Sequence, residues 1–256
     1  VLSELIASDI VPVVRLDKVF RQSAGSRIAI NAKLIRHGNM NLEYGDDFLF
    51  VNSPDLDESA ERMVEVYADE VAEHGLDNVV LLSPFRQRTP VGVNALNEKL
   101  QEKINPARKD KNEVSIGKKI FREGDKVMQT QNSNFINNGD VGYIRAIQVF
   151  GNSVNVEIDF GDGRIACYDA NDMKKVDLGY ACTVHKSQGS EYKTVIISMQ
   201  TAFFKMLTRP LIYTAITRGK TKVIVVGDHR AKCIAIKTTD VEKRGTSLAL
   251  KLQEKL

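Results

Sequence analysis

Tryptophan is absent from this sequence and cysteine nearly so. Cys167, Cys182 and Cys233 stand far apart with no Cys-x-x-Cys pair, which argues against a zinc knuckle and against a disulfide framework. A sparse, odd set of thiols fits a reducing compartment, and with no signal-peptide pattern and no apolar run long enough to span a bilayer the expectation is a cytoplasmic protein without membrane contact. Charge of either sign is not in large excess: Lys and Arg number 36, Asp and Glu 33, for a net of +3. That balance is too weak to argue nucleic-acid binding, so local clusters would have to carry any such function. A Gly-x-x-x-x-Gly-Lys-Ser/Thr phosphate loop is also missing.

What is present is an ordinary hydrophobic share of 43% over 256 residues, enough for one large domain or a medium domain carrying a small one. Strand and helix patterns alternate in the first part. Ile28, Ala29, Ala32, Leu34 and Ile35 form a helical stripe from about Ser26 to Gly38. Phe48–Val51 reads as a strand, 57–73 as a helix with acids early in the run, and Val79–Leu82 as a strand buried on both faces. A helix over 91–103 follows. This alternation predicts a parallel α/β sheet. Asp57-Glu58 and Asp69-Glu70 both read as a solvated helix face.

From Lys118 the texture changes to short β-like runs between turn residues: 127–130, 141–144, 154–160 and 164–168. They predict a small barrel over 118–178. Its aromatics show no dense groove pattern, which ranks a proline-peptide adapter low. Strand patterns then return at 195–198 and 223–226, with helices at 210–217 and 231–237.

The stretch Gly179 to Thr194 concentrates polar groups: Thr183, His185, Lys186, Ser187, Gln188 and Glu191. Taken alone it reads equally well as a site or as a polar helix capped by Gly189 before a buried strand. A second stretch decides between them. Thr-Val-His-Lys-Ser-Gln-Gly-Ser-Glu-Tyr (183–192) resembles motif V of superfamily 1 helicases, and Tyr-Thr-Ala-Ile-Thr-Arg (213–218) resembles motif VI. Val19-Phe20-Arg21-Gln22 resembles motif IV. Leu82-Ser83-Pro84, Leu96-Asn97 and Ile104-Asn105-Pro106 are similar to the RecD-like branch, which includes the exodeoxyribonuclease V alpha subunit and its stand-alone relatives.

The resemblance covers nearly the whole chain. It implies a RecA-like second motor domain, residues 1–117 and 179–256, with an SH3-like barrel inserted at 118–178. It implies an ATP-dependent DNA helicase moving 5′ to 3′, with ATP and Mg²⁺ held mainly by a first motor domain that this sequence lacks. No Asp-Glu pair stands at the end of an apolar strand to hold the metal, so no metal ligand is assigned. Arg21 and Arg218 would reach the γ-phosphate, since guanidinium binds phosphate in a fork. Gln22, Gln188, Gly189 and Glu191 would face nucleotide, while Thr183 and His185 would face single-stranded DNA. Arg86 and Arg88 follow a buried strand, where α/β sheets gather ligands, and are candidate phosphate contacts. Two solvated loop charges would look the same. The start in mid-pattern at Val1-Leu2-Ser3-Glu4-Leu5 reads as a fragment, expected to be inactive alone. Expected partners are single-stranded DNA, ATP, the first motor domain and nuclease-complex subunits. An inactive DNA-binding or regulatory module and the helicase part of a conjugative relaxase are the alternatives.

Overall fold

The computed structural model describes residues 2–14, 25–86, 89–133, 135–151, 153–239 and 248–253. Arg21, Gln22 and Arg88 lie outside them.

Helix α1 (Leu2–Ser8) packs on α7 (Leu248–Gln253), so the two ends of the described chain meet. Helix α2 (Arg27–Arg36) begins where predicted: the Ser26 hydroxyl accepts the Ile28 N–H, an N-cap. Strand β1 (Phe48–Asn52) leads into α3 (Leu56–His74), whose first N–H groups are taken by the Asp55 carboxylate. Strand β2 (Val79–Ser83) is buried throughout, as its continuous apolar run requires. Helix α4 (Val93–Ile104) starts two residues later than its pattern suggested. The reason is that Val91 and Gly92 belong to the turn whose Phe85 and Arg86 carbonyls accept the Val93 and Asn94 N–H groups.

Next come the hairpin β3 (Glu113–Ile116) and β4 (Lys119–Arg122), then β5 (Lys126–Gln129), β6 (Val141–Phe150), β7 (Ser153–Asp159), β8 (Ile165–Tyr168) and β9 (Val176–Leu178). Strands β5 to β9 form an antiparallel sheet in the order β8-β7-β6-β5-β9. The chain then supplies β10 (Ala181–Thr183), β11 (Tyr192–Met199), α5 (Arg209–Ile216), β12 (Gly219–Gly227) and α6 (His229–Lys237). These complete a parallel sheet in the order β1-β12-β11-β2-β10. The antiparallel strands are therefore inserted between β2–α4 and β10 of an α/β unit.

The junction between the two sheets is polar and buried. Asn97 donates to the carbonyls of Leu178 (3.1 Å) and Ala181 (3.0 Å) and accepts the Ala181 N–H (2.8 Å), clamping β9 to β10. Asp125 accepts from Asn105 Nδ2 (2.8 Å), Tyr180 Oη (2.9 Å), the Arg122 N–H (2.7 Å) and Gln101. Burial pushes the Asp125 carboxyl up and these donors oppose it. Gly179 has no room for a side chain, since a Cβ would sit 2.9 Å from the Val127 carbonyl carbon.

Asp69 is exposed as expected, but Glu70 is not on a solvated face. It is buried, accepts the Thr194 hydroxyl (2.9 Å) and pairs with Lys222. Helical geometry puts Glu70 on the stripe of Met63 and Tyr67, toward the sheet, where the β11 and β12 partners make burial tolerable.

Candidate nucleotide and nucleic-acid interface

All five strands of the first sheet run parallel, so their ends define two opposite edges. Thr183 closes β10 beside Ser83, which closes β2, and Arg86 follows in the next turn. These groups share the carboxyl edge. Tyr192 opens β11 beside Gly219, which opens β12, at the amino edge. Thr194 is level with Val79, so the chain drops from the level of Ser83 to two positions before Val79. That is roughly 20 Å at the usual strand rise. Residues 184–191 make this crossing.

The crossing segment is a chain of turns, where the sequence also allowed a polar helix. The Lys186 and Ser187 N–H groups donate to the Thr183 carbonyl, Gln188 to His185, and Ser190 to Ser187. The buried Ser187 hydroxyl donates to the Val184 carbonyl at 2.7 Å. Short, locally closed bonds of this kind replace the regular helix ladder because the segment must descend and pass into β11 within a few residues. Gly189 adopts φ +90°, the left-handed conformation its position in the sequence suggested.

At the amino edge, the stretch 213–218 meets the stretch 183–192. Arg218 ends the turn after α5, with Nε donating to the Thr214 carbonyl at 3.3 Å and Nη1 to the Ser190 carbonyl at 3.2 Å. The Tyr192 N–H in turn donates to the Arg218 carbonyl at 3.0 Å. Glu191 pairs with Lys220 at 2.7 Å. Arg218 and Glu191 thus stand at the amino edge with Ser190, Tyr192 and Lys220, the guanidinium oriented by backbone carbonyls, while Gln188 and Gly189 lie within the crossing segment. Ser190 and Lys220 are members of this group that the sequence did not single out; Ser190 gives its carbonyl to Arg218 and hydrogen-bonds Tyr192 through its side chain, and no local pattern marked either contact.

At the carboxyl edge, a cleft of about 1070 Å³ opens between α3, α4, β4 and β9, and Thr183, Lys186 and Arg86 line it. Thr183 Oγ1 lies 3.4 Å from the Lys186 N–H, and His185 is exposed beside them. Arg86 pairs with Asp177 of β9, and Lys119 of β4 pairs with the same carboxylate. Asp177 and Lys119 come from the antiparallel part, far away in sequence, and nothing local marked them. The structure places Thr183 and Arg86, with His185 next along the chain, at the carboxyl edge and Glu191 and Arg218 at the amino edge; Gln188 and Gly189 lie on the crossing between them.

Residues 96–160 match a family profile described as the ATP-dependent RecD-like DNA helicase SH3 domain, and 178–226 match the UvrD-like helicase C-terminal domain. The chain is 34% identical over 93% of its length to the ATP-dependent RecD2 DNA helicase of Deinococcus radiodurans.

The chain belongs to the RecD-like helicases.

It spans 32% of the length of that RecD2 relative. It is also 34% identical, over 45% of its length, to the RecBCD enzyme subunit RecD of Mycobacterium tuberculosis. Among solved structures the Pif1 helicase of Candida albicans superposes with a TM-score of 0.51 at 15% identity, over 93% of this chain and 59% of that one. That likeness concerns the fold: a RecA-like parallel sheet with an inserted SH3-like unit. Among the described residues of this RecD-like chain, no helix is long and apolar enough to cross a membrane.

Proposed function

We propose that this RecD-like chain is the second motor domain of an ATP-dependent DNA helicase, moving 5′ to 3′, and that it couples nucleotide state to the strand through residues 183–191. The observation that carries the reading is the crossing itself. One short segment begins at Thr183 on the carboxyl edge and ends at Glu191 on the amino edge, where Arg218 grips it. Residues 118–178 are taken as the inserted unit, which holds strands β4 to β9; β3, the antiparallel partner of β4, precedes that boundary.

In this reading the amino edge faces ATP. Gln188, Gly189 and Glu191 border the nucleotide, and Arg218 presents its guanidinium to the γ-phosphate, with Arg21 and Gln22 joining from the motif IV stretch. The chemistry ATP and Mg²⁺ bring is phosphoryl transfer, which asks the protein mainly for positioning and positive charge. Guanidinium meets that demand because it is always charged and forks onto phosphate oxygens. The P-loop and the metal-holding carboxylates belong to a first motor domain, so this chain by itself hydrolyses no ATP. The carboxyl edge faces single-stranded DNA, with Thr183, His185, Arg86 and Arg88 as backbone contacts, which position a strand without reading bases.

The test compares DNA-stimulated ATPase of this chain with that of the whole gene product. Activity confined to the whole protein is expected. Activity in neither, with strand binding retained, favours an inactive DNA-binding module, and activity in this chain alone overturns the assignment of ATP hydrolysis to the first motor domain.

A further inference from the structure

Three cations converge on one carboxylate at the mouth of the cleft. Asp177 gives Oδ2 to Arg86 Nη2 and Oδ1 to Lys119 Nζ, so its two oxygens bridge a guanidinium and an ammonium from different sheets. Lys119 Nζ also donates to the Val176 carbonyl at 2.9 Å. Lys186 stands close enough to feel all three: burial pushes its ammonium down, Asp177 opposes this, and Arg86 and Lys119 add to it. The cluster therefore carries two positive charges in excess. The Asp177 side chain is 16% exposed, whereas those of Arg86 and Lys119 are 48% and 39% exposed, so both cations remain reachable from solvent while their shared anion is tucked beneath them. A phosphodiester offers the same thing as this carboxylate: two oxygens on one centre, one for a guanidinium fork and one for an ammonium.

We propose that Arg86, Lys119 and Lys186 form a phosphodiester subsite for single-stranded nucleic acid, and that Asp177 is its built-in competitor, occupying the place of a backbone phosphate when no strand is bound. The proposal rests on the strand-binding reading of the carboxyl edge and adds to it the residues from the SH3-like side and the competing anion. A strand entering the cleft exchanges Asp177 for phosphate at Arg86 and Lys119. The exchange weakens binding, because two partners must be given up. It also ties strand release to the contact between the two sheets, since Asp177 sits on β9, the strand leading back into β10 and residues 183–191.

The experiment measures binding of fluorescent oligo-dT and, separately, of tripolyphosphate to the 256-residue chain and to D177N, D177E and R86A/K119A, across a salt series. For D177N the expected result is oligo-dT binding about 5- to 10-fold tighter at low salt. Its log K against log salt should steepen by about 0.7 for each phosphate newly held, the single-strand value. D177E stays near wild type, R86A/K119A binds more weakly than wild type, and tripolyphosphate follows the same ranking. Oligo-dT binding that is unchanged or weaker in D177N overturns the competitor role, and D177E guards against reading misfolding as such a result. If tripolyphosphate follows the ranking while oligo-dT binds none of the proteins, the anion subsite stands and the strand reading falls. If neither probe binds, the subsite itself is overturned.

Discussion

Arg218 Nη1 donates to the Ser190 carbonyl at 3.2 Å, so the residue that ends the 213–218 stretch holds the backbone of the 183–192 stretch. The contact joins two stretches separated by a strand and a helix at the amino edge. It also fixes the direction in which the guanidinium points.

Replacing Arg218 by lysine in the whole protein keeps the charge and loses the planar fork. DNA-stimulated ATPase turnover is expected to fall by on the order of 10³-fold, with folding retained by circular dichroism. Turnover near wild type would remove Arg218 from the γ-phosphate role.

Glycine substitutions compare conformational strain alone at Gly189 with strain plus crowding at Gly227, where φ is +154°. At Gly189 a Cβ meets nothing within 4 Å, so G189A carries only the penalty of φ +90°, about 1 kcal/mol in urea unfolding. At Gly227 a Cβ would lie 1.8 Å from the Met199 carbonyl oxygen, so the backbone of β11 or β12 must shift. G227A is expected to be the more damaging of the two, and the opposite order would contradict the packing of β11 on β12.

Glu70 ties α3 to β11 and β12 through Thr194 and Lys222. E70A leaves a partly exposed ammonium and a buried hydroxyl without their acceptor, at a cost of about 2 kcal/mol. The double variant E70A/K222A should recover part of that loss, and a fully additive cycle would show that the pair is not coupled.

Lys126 of β5 donates to the Leu76 carbonyl at 2.7 Å beneath the parallel sheet, and burial lowers its pKa to about 8. The unfolded chain, near 10.5, binds this proton more tightly than the folded one. The ammonium's cost is therefore fully present below pH 8 and is relieved as pH rises toward 10.5, by about 3 kcal/mol in all. The stability difference between wild type and K126M should shift in favour of wild type across that window. A difference that stays flat would mean that Lys126 keeps an ordinary pKa in the fold.

Thiol chemistry should distinguish the cysteines. Burial pushes the Cys182 thiol up to about 12, leaving almost no thiolate at pH 8, whereas Cys167 is exposed. Iodoacetamide followed by peptide mass spectrometry is expected to label Cys167 in the native protein and Cys182 only after unfolding. Rapid native labelling of Cys182 would place β10 outside the sheet.

Local pattern was enough wherever one chemical property repeats along the chain. The apolar run Val79–Leu82 could only be a strand buried on both faces, and Asp55 and Ser26 precede helices that they cap. The stretches 183–192 and 213–218 stood out as strings because their residue types are unusual at that spacing. The Glu70 error has the opposite origin: an acid beside an acid on a helix looks solvated until the neighbours on β11 and β12 are known.

The sequence by itself determined most helices and strands of the α/β part and the change to short antiparallel strands, because propensity, turn chemistry and hydrophobic period are local. Only the tertiary structure decided that Thr183 and Glu191 stand at opposite edges of one sheet, and that Asp177 meets Arg86 and Lys119. Strand order and register are set by how apolar faces pack across long sequence separations, and a charge gains its partner only when that packing brings it there.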